Sequence, residues 1–318
     1  MGNNKTPVAT KRGTVAVMDL GTNTFHLLIA HGKADNPQEV FRITIPVRLG
    51  EGGINNGIIQ PTAYKRGIDA MLQFSNYIIE YKVGYIKAIA TSALRTTTNG
   101  KDFIDEVKTK TGIIIETITG EQEAKYIYDG VNTGKCLTKQ NALILDIGGG
   151  SVEFIIGNNE RILWKQSFEI GAARLMDKFH RIDPIPASSV QELDNYIEQI
   201  LSPLFEATAN MQIETIIGSS GAFETFAEVI ELKNGNEFDL KKNREYKFDI
   251  TEFLNITDWL IESTHFDREN TKGIIPIRVD MIVVASLITR FVMKKLNIEA
   301  VIMSTYSLKE GVLAEALS

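Results

Sequence analysis

The sequence predicts an α/β protein built from two related halves, and three observations carry that prediction. One pattern occurs twice, 127 positions apart: Val17-Met18-Asp19-Leu20-Gly21-Thr22-Asn23-Thr24-Phe25-His26-Leu27-Leu28-Ile29 and Ile144-Leu145-Asp146-Ile147-Gly148-Gly149-Gly150-Ser151-Val152-Glu153-Phe154-Ile155-Ile156. Each copy is an apolar run, an Asp, a Gly among small residues, a hydroxyl residue and a second apolar run. That order reads as a strand, a tight turn and a returning strand. After each copy the periodicity alternates between helix and strand. Finally, 318 residues is the length of about two domains of ~150 residues.

In the first half, Val40 to Val47 reads as a third strand before the Gly-rich connection Leu49-Gly50-Glu51-Gly52-Gly53. Pro61-Thr62 opens a long helix whose expected core face is Ile68, Leu72, Ser75, Ile78 and Ile79. Ile86 to Ala90 is a buried strand feeding Thr91-Ser92-Ala93-Leu94-Arg95. A short helix carrying Phe103, Ile104 and Val107 stops at Gly112. Ile113 to Ile118 is a strand, and Gly120-Glu121-Gln122-Glu123-Ala124 starts a helix reaching about Val131.

The second half repeats the plan. A third strand falls near Trp164 to Glu169, and Ser189-Val190-Gln191-Glu192 forms a capping box for a helix through Leu201. Thr215 to Gly218 ends a strand in the small-residue turn Ser219-Ser220-Gly221-Ala222, and Glu231 to Asn243 is a polar surface loop. Alternation at Tyr246, Phe248 and Ile250 predicts a strand ahead of a helix capped by Thr251. Ala300 to Met303 is a strand, and Ser304 to Ala316 a turn and final helix.

The net charge of −6 speaks against a general nucleic-acid binder, so a polyanionic substrate would need a local basic cleft in an acidic body. Cys136 is the only cysteine, which rules out an internal disulfide and fits a cytoplasmic protein. The longest mostly apolar stretch, near Met281 to Thr289, is too short to span a bilayer. The first 13 residues read as a loose polar tail.

A strand–Gly–strand turn presents backbone N–H groups with no side-chain bulk in front of them, which suits oxyanions such as phosphate. Neither a Walker-type phosphate loop nor a Rossmann glycine fingerprint is present, so the two Asp-x-Gly turns are a separate phosphate device. Arg95 follows a buried strand, and its guanidinium fork suits phosphate oxygens. Glu121 and Glu123 stand two apart at a helix start, roughly 200° around the axis, so only one of them can face a cleft.

Asp19 to His26, Thr91 to Arg95, Gly120 to Ala124 and Asp146 to Glu153 resemble the successive motifs of the Ppx/GppA phosphatases. Gly218-Ser219-Ser220-Gly221 and Ser307-Leu308-Lys309-Glu310-Gly311-Val312-Leu313 continue the series in order. The resemblance covers essentially the whole chain and is closest to the short form, without the further C-terminal helical domains of long members. Lys309 stands where the family often has Arg, and Ala222 where it often has Thr. Losing the Arg fork weakens Lys309 as a phosphate ligand.

The resemblance implies the two-domain actin-like ATPase fold (a duplicated RNase H-like fold) with an interdomain cleft. Residues 1–130 plus 301–318 would form domain I and 131–300 domain II. Glu123 is the implied water-activating base, with Glu121 a solvated first-turn residue. Gly21, Thr22, Asn23, Thr24, Arg95, Gly148, Gly149, Gly150 and Ser151 are the implied phosphate ligands. Asp146 and Glu153 would hold Mg²⁺ or another divalent cation, joined less firmly by Asp19, while His26, at the position matching Glu153, reads as structural.

The expected activity is exopolyphosphatase, releasing terminal phosphate from inorganic polyphosphate, with guanosine pentaphosphate (pppGpp) hydrolysis as the alternative. An ATP-dependent kinase or ATPase of the same superfold and a non-catalytic alarmone-binding regulator stay open as further classes. No nucleic acid or membrane partner is expected, and a homodimer is the family's common assembly.

Overall fold

A computed structural model of the chain describes residues 13–240 and 242–318, so nearly all of the expected N-terminal tail lies outside the described residues. The first half runs β1 (Val15–Leu20), β2 (Thr24–Lys33), β3 (Asn36–Pro46), α1 (Pro61–Glu80), β4 (Tyr85–Ala90), α2 (Ser92–Thr96), α3 (Gly100–Thr111), β5 (Ile115–Thr117) and α4 (Gly120–Thr133). The second continues with β6 (Ala142–Ile147), β7 (Val152–Gly157), β8 (Ile162–Phe168), α5 (Ala172–Phe179), α6 (Ala187–Ile200), α7 (Ser202–Thr208), β9 (Thr215–Ser219) and α8 (Gly221–Lys233). It closes with β10 (Glu245–Lys247), α9 (Ile250–Glu262), α10 (His265–Glu269), α11 (Met281–Leu296), β11 (Ala300–Ser304) and α12 (Leu308–Leu317).

The duplication extends to topology. The first sheet has the order β3-β2-β1-β4-β5, and the second β8-β7-β6-β9-β11 with β10 added at its edge. In both, the first three strands are antiparallel and the next two run parallel to the first. Helices follow the parallel strands, as right-handed crossovers require. This is the duplicated RNase H-like arrangement of the actin-like fold.

Each sheet packs helices on its outer face. Met18, Leu27, Met71, Phe74 and Phe103 centre the first core, and Leu143, Phe154, Phe226, Phe253 and Ile288 the second. A third apolar cluster lies between the sheets, where Val17 and Leu28 from one meet Ile144 and Ile155 from the other through Ala124, Ile127 and Val131 of α4 and Val312 of α12. The two helices approach closely because both carry glycine at the contact. A Cβ on Gly130 would sit 1.9 Å from the Ser307 carbonyl, and one on Gly311 would sit 1.9 Å from that of Tyr126. The helix bearing Glu123 is thereby fixed between the two sheets.

Several local expectations are corrected. In α1 the buried residues are Ala63, Gly67, Ile68, Ala70, Met71 and Phe74, while Leu72 and Ile79 are exposed. Proline at its first position holds its start without a side-chain cap. Helix α6 begins at Ala187, so Ser189 is helical and no capping box forms. Helix α9 is capped by Asp249, whose carboxylate accepts the Glu252 N–H, and not by Thr251. Strand β11 pairs as a whole in the second sheet, so a boundary drawn at 300/301 would cut through it.

Candidate active site

Both Asp-x-Gly turns are tied down from behind by the same device. In the first, the Asn23 carbonyl accepts from the N–H groups of Val47 (2.9 Å) and Arg48 (2.8 Å), and the Thr22 carbonyl from Gly50 (3.1 Å). In the second, the carbonyls of Gly148 and Gly149 accept from Ala172 and Ala173 at the start of α5 (2.9 Å each), and that of Gly150 from Gly171 (3.2 Å) and Arg174 Nε (2.8 Å). Because each peptide is planar and trans, its N–H points opposite its C=O. The amides of Gly149, Gly150 and Ser151, and those of Asn23 and Thr24, therefore point away from these supports. The two turns meet, since a Cβ on Gly149 would lie 2.3 Å from Asn23 Nδ2, and one on Gly150 2.5 Å from Thr22 Oγ1 and Ser92 Oγ.

The turns line one cavity of about 730 Å³, together with Asp19, Glu123, Asp146, Glu153 and Lys309. The expected juxtaposition of Asp19 and Asp146 is thus present. Glu123 sits in the first turn of α4, whose start is set by a Thr119–Gln122 capping box. Its carboxylate is buried, whereas Glu121 turns outward and pairs with Lys165. Burial pushes Glu123 up to about 8 against the pull of Arg95, and the charges of Asp19 and Asp146 add to the push.

Burial likewise raises Asp19 to about 7, opposed by Lys309 and reinforced by Asp146. It raises Asp146, although Ser219 Oγ donates to Asp146 Oδ2 at 2.7 Å. It holds Glu153 well above the usual carboxylate range, with the charges of Glu123 and Asp146 adding and Ser167 Oγ donating at 2.6 Å. Asp19 Oδ1 is buried with no hydrogen-bond partner. Four crowded carboxyls and an orphaned oxygen are the donor chemistry that a hard cation satisfies.

Among the described residues no three Asp, Glu, His or Cys converge closely enough to cage a metal by themselves.

Arg95 is held mainly by acidic partners. It is absent from the cavity wall; its Nη1 donates to Glu123 Oε2 (2.9 Å) and the Ile118 carbonyl (3.2 Å), and its Nη2 to Glu169 Oε1 (2.9 Å). Its fork is committed to carboxylates. Asn23 turns its amide to Met281 Sδ (3.0 Å), and Lys309 Nζ lies 3.5 Å from Glu310 Oε2. His26 bridges Thr24 Oγ1 and Thr44 Oγ1 at 2.9 and 2.8 Å, consistent with a structural residue.

Sequence reasoning missed Arg42, Arg244 and Arg278, which with Lys309 supply the basic lining that an acidic chain needs to hold a polyanion. They lie in a strand, a loop and the turn before α11, outside any motif. The oxyanion argument alone could have prompted a search for such cations.

Residues 28–318 match the Ppx/GppA phosphatase family. A guanosine-5'-triphosphate,3'-diphosphate pyrophosphatase of Photobacterium profundum is 27% identical over 305 residues, 95% of this chain but 59% of that protein. A putative exopolyphosphatase of Haemophilus influenzae is 28% identical over 303 residues, 94% of this chain and 90% of the relative. The chain therefore spans about three-fifths of the first relative and most of the second. Among solved structures, an exopolyphosphatase from Cytophaga hutchinsonii superposes with a TM-score of 0.92 at 39% identity, covering 96% of this chain and 97% of the other. A match that starts within β2, runs to the last helix and holds over nearly all of a solved relative leads to one conclusion: the chain belongs to the Ppx/GppA phosphatase family.

Proposed function

We propose that the chain is an exopolyphosphatase that hydrolyses the terminal phosphoanhydride of inorganic polyphosphate in a reducing cytosol. The observation that carries this reading is a buried carboxylate, Glu123, aimed into a cavity lined by two opposed amide turns and basic side chains. The exopolyphosphatase title of the 39%-identical Cytophaga hutchinsonii structure supports the choice of substrate.

In the proposed reaction the amides of Asn23 and Thr24 and those of Gly149 to Ser151 hold non-bridging oxygens of the terminal phosphates, the Gly21 N–H being taken by the Thr24 carbonyl (3.1 Å). Lys309, with Arg42 and Arg278 further out, offsets the charge of the chain. Glu123 orients a water and takes its proton as the water oxygen bonds to the terminal phosphorus and the bridging P–O bond breaks. Arg95 holds Glu123 in place and does not grip phosphate. Phosphatases of this family generally need a divalent cation; we assign Mg²⁺, held by Asp146 with Glu153 and Asp19 nearby. When bound, it would neutralise charge on the phosphate oxygens. Positioning and charge stabilisation then account for most of the rate, as is usual in phosphoryl transfer. We place the division between the two bodies after Ser304, keeping β11 with its sheet.

One observation favours pppGpp as the alternative substrate. The cavity also has an apolar wall, with Leu240, Ile275, Ile277, Ile282 and Tyr306, which inorganic polyphosphate does not need and a nucleoside would. Phosphate release measured with polyphosphates of several lengths, pppGpp and ATP, each with Mg²⁺, decides the matter. Polyphosphate is expected to be cleaved fastest. Faster cleavage of pppGpp selects the alternative, and faster ATP turnover rejects both.

A further inference from the structure

Glu169 follows β8 in the second half, yet its carboxylate reaches the first. Ser92 Oγ donates to Oε2 at 2.5 Å, Arg95 Nη2 to Oε1 at 2.9 Å, and Arg174 Nη2 to Oε2 at 3.0 Å. Arg174, in α5, also crosses over, to Thr96 Oγ1 (2.9 Å) and the Ile54 carbonyl (2.9 Å). Ser92, Arg95 and Thr96 all belong to α2, the short helix after β4.

A guanidinium is a rigid planar fork, so its orientation is fixed once two of its corners are held. The two terminal nitrogens of Arg95 are held by opposite halves: Nη1 by Glu123 and the Ile118 carbonyl, Nη2 by Glu169. Arg95 is the ion-pair partner of Glu123. Whatever sets the plane of Arg95 therefore sets where the Glu123 carboxylate points.

We infer that Glu169 is a positioning residue, which orients Arg95 onto Glu123 and makes the alignment of the base depend on the two halves being closed against each other. The inference rests on the hydrolase reading above and deepens it: Glu169 touches neither substrate nor the reacting atoms, and acts through Arg95. Arg174 braces Glu169 from behind while clasping the loop at Ile54, so contact between the halves and base alignment share one set of bonds. Opening the halves releases the Nη2 corner of Arg95.

The test is a double-mutant cycle on kcat and KM for Mg²⁺-dependent phosphate release from synthetic polyphosphate, comparing wild type, Glu169→Gln, Glu123→Gln and the double variant. Glu169→Gln keeps the shape and removes the charge. Its kcat is expected to fall about 10- to 100-fold, the cost of a misplaced reacting group, with KM within about twofold. In the Glu123→Gln background the same change is expected to have no further effect, because the group it positions is already gone.

Additive losses, an unchanged kcat, or a rise in KM alone overturns the inference. Should Glu169→Gln fail to fold by thermal melting, Glu169→Asp decides. It keeps the charge but, one methylene shorter, cannot hold Ser92, Arg95 and Arg174 together, and the same kcat-specific, non-additive loss is expected. A wild-type protein inactive on every phosphoanhydride tested refutes the hydrolase reading itself, and this inference with it, before any variant is compared.

Discussion

Replacing Glu123 with Gln isolates the proposed base from everything else in the cleft. The side chains are nearly isosteric, and the Gln carbonyl oxygen can still accept from Arg95 Nη1, now 2.9 Å from Glu123 Oε2. The near-isosteric swap should change the stability of the fold by no more than about 1.5 kcal/mol. The amide turns and Lys309 are untouched, so binding and charge stabilisation persist. What is lost is proton acceptance, about 10²–10⁴-fold in kcat, equivalent to about 3–5 kcal/mol of barrier. A colorimetric phosphate-release assay under saturating polyphosphate, paired with a thermal melt, reads both quantities. A variant that melts like the wild type and turns over at the wild-type rate refutes the assignment of Glu123. A loss confined to KM would move Glu123 from proton transfer to binding.

The remaining predictions use the same assay or the same melt. Asp146→Asn removes a carboxylate while leaving a partner for Ser219, and should raise the Mg²⁺ concentration for half-maximal rate at least about 10-fold; an unchanged Mg²⁺ titration would assign the cation elsewhere. Gly150→Ala places a methyl 2.5 Å from Thr22 Oγ1 and Ser92 Oγ, forcing the two turns apart. It should cost about 1–3 kcal/mol of stability together with most of the activity, so wild-type kcat would show that the turns need not meet. Asp19 is raised from the ordinary aspartate value to about 7, so between about pH 4 and 7 the folded chain holds a proton that the unfolded chain has released. Melting temperature in EDTA should decline as pH rises through that window, and Mg²⁺ should restore more at pH 8 than at pH 5; the opposite slope would contradict the crowded-acid account.

The parts legible in the sequence are those fixed by local chemistry. The Asp-x-Gly turns were readable because a glycine between two apolar runs admits few backbone paths, and the topology around them followed from their repetition. Helix geometry let only one of Glu121 and Glu123 face the cleft, the family resemblance selected Glu123, and α4 indeed buries it and exposes the other. The ion pair between Arg95 and Glu169 was not legible, because Glu169 is brought to Arg95 by a strand of the other sheet, 74 positions along the chain, which no local pattern encodes. The error in α1 has a similar origin. The buried stripe follows Ala63, Gly67, Met71 and Phe74, and Gly67 faces inward because Phe103 occupies its side-chain space. Small residues that make room for a neighbour look neutral in sequence and are decisive in packing.

The duplication also explains how one cleft acquires two different chemistries. Asp19 pairs across its hairpin with His26, and Asp146 with Glu153, at the same register in each half. The second half thus sets two buried acids side by side. In the first half the matching place is filled by a histidine that burial and the nearby Lys309, Arg42 and Arg278 keep well below its usual titration range, so it adds no charge. In the proposed reaction the cation would sit on the side of the second half, at the Asp146–Glu153 pair. The first half contributes the other function through α4, whose first turn carries Glu123. A symmetric ancestor with acids at both registers would crowd more negative charge into the space where a polyanion must enter. In the proposed reaction Glu123, restrained by Arg95, is the carboxylate that faces the attacking water.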